Sequence, residues 1–494
     1  MAIFSSIKNL FKHSAVYGVG HILTRSINFL LMPLFTNLFP RDEYGVVGIM
    51  FAYIAILTIV YTYGLDAAFF RFYILKEELS DRRDIFSTSF ITILLTSICF
   101  SALLFISSDT IVTWVFSEEV RSLSIDLALL VKFAAGILMF DALTFLPFLI
   151  LRAEQRSIPF VVFKFINVLI NVGCNVLFLI VLDFGIEGVF LANLIASTLT
   201  FFIMSPLLAR YLQSTFSLSL LRELFAFGIP YLPSTLAVVI MDTIDRPFLE
   251  RLASVEEAGL YNAGVKLGMF MALFVTAFRF AWHPFFLSTL KQKDAKAVFA
   301  KVFTYVLLAC AGVFIVLSVF IEDIVRFPLP GFTLVGKEFW ACTTVVPVLM
   351  LAYILYAAYL NFLIGVYLHK KTKYLPFITV SGMVGNLITN ALLIPVIGMM
   401  GAAWARFVAY FIMAVSLYVV NKKLYPVDYE WKRIIKLCLI TAMVFFVGMA
   451  EFIQSVFMFK LFVVLSFPVL LYIMRFFESN EINRLKMLWV SRKK

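Results

Sequence analysis

Three polar side chains interrupt the apolar run HSAVYGVGHILTRSINFLLMPLFTNLF at residues 13–39 with a spacing that carries meaning. His21, Arg25 and Asn28 stand at i, i+4 and i+7, on one face of a helix. A run of this length crosses a hydrocarbon core of ~30 Å with tilt to spare. Arg25 then sits deep in the bilayer, at an insertion cost of about 2.5–3.5 kcal/mol. A polar stripe on a spanning helix faces protein or a wet cavity rather than lipid, so the pattern predicts a cationic binding site inside a transporter. The competing structural reading pairs Arg25 with Asp66 on the next apolar run.

The other ionisable residues placed within apolar runs are Lys132, Lys164, Lys266, Arg279 and Arg406, with Asp66, Asp141, Asp242 and Asp245. With Arg25 the basic residues outnumber the acidic ones, so complete internal pairing is impossible and the excess suits an anion. A diphosphate is such a ligand: arginine offers its oxygens a fork and lysine a point charge. Lys266 and Arg279 are thirteen positions apart, on different faces, so at most one points squarely into a cavity. Asp242 and Arg246 stand at i, i+4, which favours a local salt bridge. Asp141 is the candidate protonatable group for ion coupling, with a hydrogen-bonded structural acid as the alternative; Asp66 and Asp242 are further coupling candidates. Lys164, Asn167, Asn171 and Asn175 share a face that Thr379, Asn386 and Asn390 echo later in the chain, which reads as hydrogen bonding between helices. His283, one turn after Arg279, reads as an interfacial residue beside Pro284.

The elements that hold these residues follow from composition. The 494 residues are 62% hydrophobic and only 14% charged, with a mean hydropathy of +0.98, the signature of a polytopic membrane protein. A net charge of +11 would suit nucleic acid, but the basic residues sit in short loops where they set topology, so no nucleic-acid partner is expected. The five cysteines lie in apolar runs with no CxxC pair, indicating neither a disulfide framework nor a zinc site. Neither a nucleotide-binding glycine loop nor any other cofactor motif occurs, the four histidines do not cluster, and no outer loop much exceeds about seventeen residues. Catalysis, a cofactor and a metal are therefore not expected. The first apolar run is too long for a signal-peptide core and is expected to be retained.

Fourteen spans are predicted, at 13–39, 44–72, 85–107, 124–151, 157–181, 186–210, 222–248, 258–287, 298–320, 339–367, 374–396, 400–421, 432–452 and 457–476. With the amino terminus inside, the cytoplasmic segments hold 28 Lys and Arg against 7 outside, which places both termini in the cytoplasm. An internal repeat divides the chain. LTFLPFLILRAEQRSIPF (143–160) aligns without gaps to LNFLIGVYLHKKTKYLPF (360–377), Asn171 and Asn175 match Asn386 and Asn390, and FGIEG (184–188) matches IGMMG (397–401). PRDEYG (40–45) matches SVEEAG (254–259), where Ser254 and Glu257 have the spacing of a capping box. The offset stays between 213 and 217 residues throughout. The fold expected is thus all-α: two parallel six-helix repeats, 1–213 and 214–425, around a central cavity, with a helix pair and basic tail at 426–494. Arg406 takes the place of Asn193 and breaks the symmetry. Prolines 33, 230 and 233 lie in the first helix of each repeat, where they provide hinges or broken helix.

YGLDAAFFRFY (63–73), the PRDEYG turn, RAEQRSIPF (152–160) and FGIEG resemble the Wzx-type oligosaccharide flippases of the multidrug/oligosaccharidyl-lipid/polysaccharide exporter superfamily. Six plus six plus two spans is that group's layout, so the resemblance runs over the whole chain. It implies movement of polyprenyl-diphosphate-linked oligosaccharide from the inner to the outer leaflet of a bacterial cytoplasmic membrane, for O-antigen or capsule synthesis. Membrane lipids and polysaccharide polymerase machinery are the implied partners, and spans 1, 2, 7 and 8 line the implied cavity. The substrate-binding set expected there is Arg25, His21, Asn28, Arg71, Lys266 and Arg279. Lipid II flippases concentrate several arginines in the first two helices; this chain has only Arg25, with Arg71 at the inner end of the second, which argues against a peptidoglycan precursor. The alternative reading is a cation-coupled antiporter or exporter of small anionic molecules in the same superfamily.

Overall fold

The computed structural model describes residues 29–76, 78–289, 294–369, 371–478 and 481. His21, Arg25 and Asn28 therefore lie outside the described residues, as does the first part of the predicted 13–39 span. In hydrocarbon every backbone N–H and C=O must be bonded within the segment, so long apolar runs become helices. The principal helices are α1 (Met32–Leu38), α2 (Arg41–Thr62), α3 (Leu65–Leu75), α4 (Leu79–Ile106), α5 (Leu127–Ala153), α6 (Ser157–Val176) and α7 (Ile186–Tyr211). They continue as α8 (Leu218–Gly228), α9 (Leu232–Thr243), α10 (Asp245–Leu252), α11 (Val255–Thr289) and α12 (Ala295–Val325). A small hairpin, β1 (Pro328–Leu329) and β2 (Phe332–Thr333), precedes α13 (Val346–Phe362), α14 (Tyr374–Ile397), α15 (Met399–Leu424), α16 (Trp431–Gly448) and α17 (Phe457–Ile473). Among the described residues, eleven helical segments are long and apolar enough to cross a membrane; the fold is that of a multi-pass membrane protein.

Among the described residues, several predicted spans are not single helices; 432–452, for example, ends its helix at Gly448 and restarts at Glu451. The 44–72 run breaks at Tyr63 and Gly64, both left-handed at φ 50° and 68°, so α2 ends and α3 starts afresh. The 222–248 run is broken by a 3₁₀ turn at Ile229–Tyr231 and again after Thr243. Pro230 lies in that turn and Pro233 in the first turn of α9, where a missing N–H costs nothing. The 339–367 run opens with 3₁₀ helix, Lys337–Val345. Hydropathy reports composition, and none of these backbone breaks alters it.

The repeat recurs in the elements: helices start at residues 41 and 255, 79 and 295, 157 and 374, and 186 and 399, offsets of 213 to 217. Packing follows the same relation. A methyl group on Gly45 would overlap the Val255 carbonyl, and one on Gly259 would overlap the Arg41 carbonyl. Gly45 matches Gly259 and Arg41 matches Val255, so α2 and α11 touch reciprocally, as two copies do about a twofold axis. The Ser254 hydroxyl accepts from the Glu257 N–H at 3.3 Å, half of the expected capping box; the Glu257 carboxylate instead accepts from the Met399 N–H.

Two opposite faces are defined by this packing. On the hairpin face, Asn37 Nδ2 donates to the Thr333 carbonyl at 2.8 Å and the Gly336 N–H donates to Thr36 Oγ1 at 3.1 Å. There too the Ser117 N–H donates to Glu250 Oε1 at 2.7 Å. On the other face α3 meets α8: Gly64 and Gly228 approach so closely that a Cβ on either would lie 3.0 Å from the other's carbonyl oxygen. The rings of Tyr63 and Phe225 are centred 5.8 Å apart there.

Candidate functional site

Between the two contact zones lies a cavity of about 410 Å³. Its polar lining is Asp141 from α5, Asn171 and Asn175 from α6, Asn193 from α7, Thr243 and Arg246 from the α9–α10 segment, and Asn262 and Lys266 from α11. Leu31, Phe35, Phe51 and Val265 supply apolar wall. Arg246 is held by Nε donating to Asn262 Oδ1 at 3.0 Å and Nη1 to the Asp242 carbonyl at 3.3 Å. Lys266 Nζ lies 5.6 and 5.2 Å from the ring centres of Phe35 and Tyr44, a cation–π cradle. Among the described residues no carboxylate forms an ion pair with either cation, and the buried Tyr44 hydroxyl has no hydrogen-bond partner. Two cations, four amides and a hydroxyl against one carboxylate, Asp141, surround the void, a lining with a net positive charge that can bind clustered negative charge. One such contact at ~4 Å is worth ~4 kcal/mol before desolvation at an effective dielectric of ~20.

Behind Arg246 the acidic residues are already compensated. The fully buried Asp245 pairs with Arg406 Nη2 at 2.6 Å and accepts from Tyr261 Oη at 2.7 Å and Asn390 Nδ2 at 3.0 Å. Arg406 Nη2 also donates to the Asp242 carbonyl at 2.9 Å, and Tyr410 Oη donates to Asp242 Oδ1 at 2.9 Å. The expected Asp242–Arg246 salt bridge therefore does not form: Tyr410, from α15, holds the carboxylate, and Arg246 reaches only the carbonyl. Asp141 lines the cavity while accepting from Ser197 Oγ at 2.6 Å, as a hydrogen-bonded acid does.

The asparagine face divides in two. Asn167 Nδ2 donates across to the Ala196 carbonyl and Thr200 Oγ1 of α7 at 3.2 and 2.9 Å, the expected helix-to-helix bonding. Asn175 donates back to Asn171 within α6, and both turn to the cavity. Of the α11 pair, Lys266 lines the cavity; Arg279 does not, being exposed with Nη1 3.5 Å from Tyr356 Oη. Arg71, expected in the cavity, and Asp66, a coupling candidate, sit together elsewhere. They lie not in the cavity but in a separate groove of about 740 Å³ beside Phe70, Ile74, Leu75, Leu149 and Arg152. Sequence reading missed Asn262, although its i, i+4 spacing from Lys266 was a signal, and it missed Arg152. Among the described residues no three His, Cys, Asp or Glu side chains gather as a metal site.

The layout defines a multi-pass transporter-type fold with a polar cavity between two repeats. The chain belongs to the polysaccharide biosynthesis protein family, whose sequence profile matches residues 10–290. No curated protein matches it in sequence. Its fold is similar to that of the lipid II flippase MurJ in an inward closed conformation, with a TM-score of 0.74 over 93% of this chain and 99% of that one at 16% identity. It is also similar to an inward-facing multidrug resistance MATE family transporter of the MOP superfamily, with a TM-score of 0.63 over 81% and 94% at 13% identity. An outward-facing structure from the same family gives 0.53 over 84% and 94% at 16% identity. The chain thus shares the fold of these structures.

Proposed function

We propose that this protein is a flippase, not an enzyme, that carries polyprenyl-diphosphate-linked oligosaccharide across the bacterial cytoplasmic membrane by alternating access. The observation that carries the reading is the pair Arg246 and Lys266, facing a cavity between the two repeats with no carboxylate partner among the described residues. Arg25 joins them as a proposed cargo-binding residue. A second, almost wholly apolar pocket of about 420 Å³ between α12, α13, α15 and α16, lined by Phe314, Trp404, Leu437 and Phe445, suits a polyprenyl tail. The division into repeats 1–213 and 214–425 with a helix pair and tail at 426–494 is part of the proposal. So are fourteen spans, cytoplasmic termini, an outward hairpin face and a downstream polymerase partner. The size of the central cavity, within the range of small-molecule pockets, favours the second reading, export of a small anionic solute.

The test is Lys266→Met in a strain whose own copy is deleted. Normal membrane abundance with surface glycan reduced at least about tenfold is expected, for one lost charge-assisted contact, together with lipid-linked intermediate held on the inner leaflet. Unchanged glycan display in the deletion strain itself, with export of small anions lost, would transfer the case to the second reading.

A further inference from the structure

The groove beside α3 holds two cations that the central cavity does not use. Asp66, Phe70, Arg71, Ile74 and Leu75 form one stripe of α3, and Arg152 faces it from the end of α5. The Arg71 guanidinium is centred 4.4 Å from the ring of Phe227, on α8 of the other repeat, and that of Arg152 lies 5.5 Å from the Phe70 ring. These cation–π contacts restrain the two guanidinium groups, and their N–H groups can still donate to an anion. Apart from Asp66, which lines the groove, the nearby carboxylates Glu154 and Asp81 are engaged elsewhere. Glu154 accepts from Tyr73 Oη at 2.8 Å and also from Tyr211 Oη, and Asp81 pairs with Lys76 at 3.1 Å. Among the described residues no ion pair reaches Arg71 or Arg152. Ile74 and Leu75 are half to two-thirds exposed at 50% and 69%, so the cationic floor adjoins an aliphatic wall. A phosphate head and a hydrocarbon tail have that division. The groove opens on the face opposite the hairpin, directly beside the α3–α8 seam through which the cavity would have to open.

We propose that this groove is a loading site for the diphosphate head of the polyprenyl-linked cargo, occupied before the central cavity is reached. Two guanidinium forks match two phosphates, and the aliphatic wall takes the first isoprene units. The inference rests on the cargo class proposed above and adds a site outside the cavity. Asp66 opposes the anion and weakens the site enough for cargo to leave it.

The experiment titrates fluorescent polyprenyl diphosphate into the full-length protein held in phosphatidylcholine nanodiscs. Arg71→Gln with Arg152→Gln should weaken binding at least about tenfold, while Arg71→Lys with Arg152→Lys keeps part of it. Asp66→Asn should tighten binding about threefold; a gain of affinity cannot come from misfolding. Affinity unmoved by all of these but lowered by Lys266→Met would overturn the loading site and leave the flippase reading standing. No binding of polyprenyl diphosphate to the unaltered protein would sink that reading as well. Competition by phosphatidylglycerol at equal concentration would make the groove a bulk-lipid site and overturn the assignment to cargo.

Discussion

Arg406 and Lys266 are both cations within apolar helices, yet their surroundings give them opposite roles. Arg406 is 1% exposed and its charge is met by Asp245 at 2.6 Å; Lys266 faces a void and two rings. Removing one partner of a buried pair costs about 3–5 kcal/mol because the other charge is stranded, whereas removing both can be nearly neutral. Arg406→Met should therefore lower the melting temperature of the purified protein markedly, and adding Asp245→Asn should recover most of the loss. A single variant melting like the parent would show that the pair carries no stability. This residue also marks what the sequence could reveal. Its asymmetry against Asn193 was visible from the repeat, but its partner was not, because the two stand 161 positions apart. The local Asp242–Arg246 pairing failed for the same reason: i, i+4 spacing permits a bridge, but Tyr410, 168 positions on, satisfies the carboxylate first.

The predicted spans agree closely with most helices, since burial in lipid acts on composition, which is written locally. The break at Tyr63–Gly64 is not written there, whereas the one at Ile229–Tyr231 is marked by Pro230 and Pro233 rather than by hydropathy. Gly259 provides the element-scale test. Its α-carbon lies so near the Arg41 carbonyl that any β-carbon must force α2 and α11 apart, and backbone cannot yield as a flexible side chain can. Gly259→Ala should loosen the hairpin-face contact and admit water to the cavity from that side. With the five native cysteines replaced, Ala52→Cys in the cavity wall should label faster with an impermeant thiol reagent in the Gly259→Ala background. Equal labelling in both backgrounds would show that the glycine contact does not seal the cavity.

At the scale of the molecule the two contact zones are chemically different. On the hairpin face hydrogen bonds join Asn37 to Thr333 and Thr36 to Gly336, while on the other face α3 and α8 meet through aromatic rings and a glycine pair, and the segment leading into α8 bonds to α4 through Thr215 to Asp84 and Ser217 to Thr88. Helix α2 spans about 33 Å between them at 1.5 Å per residue. A rigid-body rocking of the repeats can therefore break one zone while the other holds, and a cargo must see each broken in turn. Asn37→Cys with Thr333→Cys, in a background without native cysteines, joins the hairpin zone through a short thiol cross-linker. Tyr63→Cys with Phe225→Cys joins the opposite one. Each cross-link alone should abolish glycan display, because a cycle needs both openings, and a reducible linker should restore display when it is cleaved. Uncross-linked double variants serve as the control for folding. If either zone can be locked to completion while display continues at the control rate, that zone is a permanent hinge and the repeats do not alternate about this cavity.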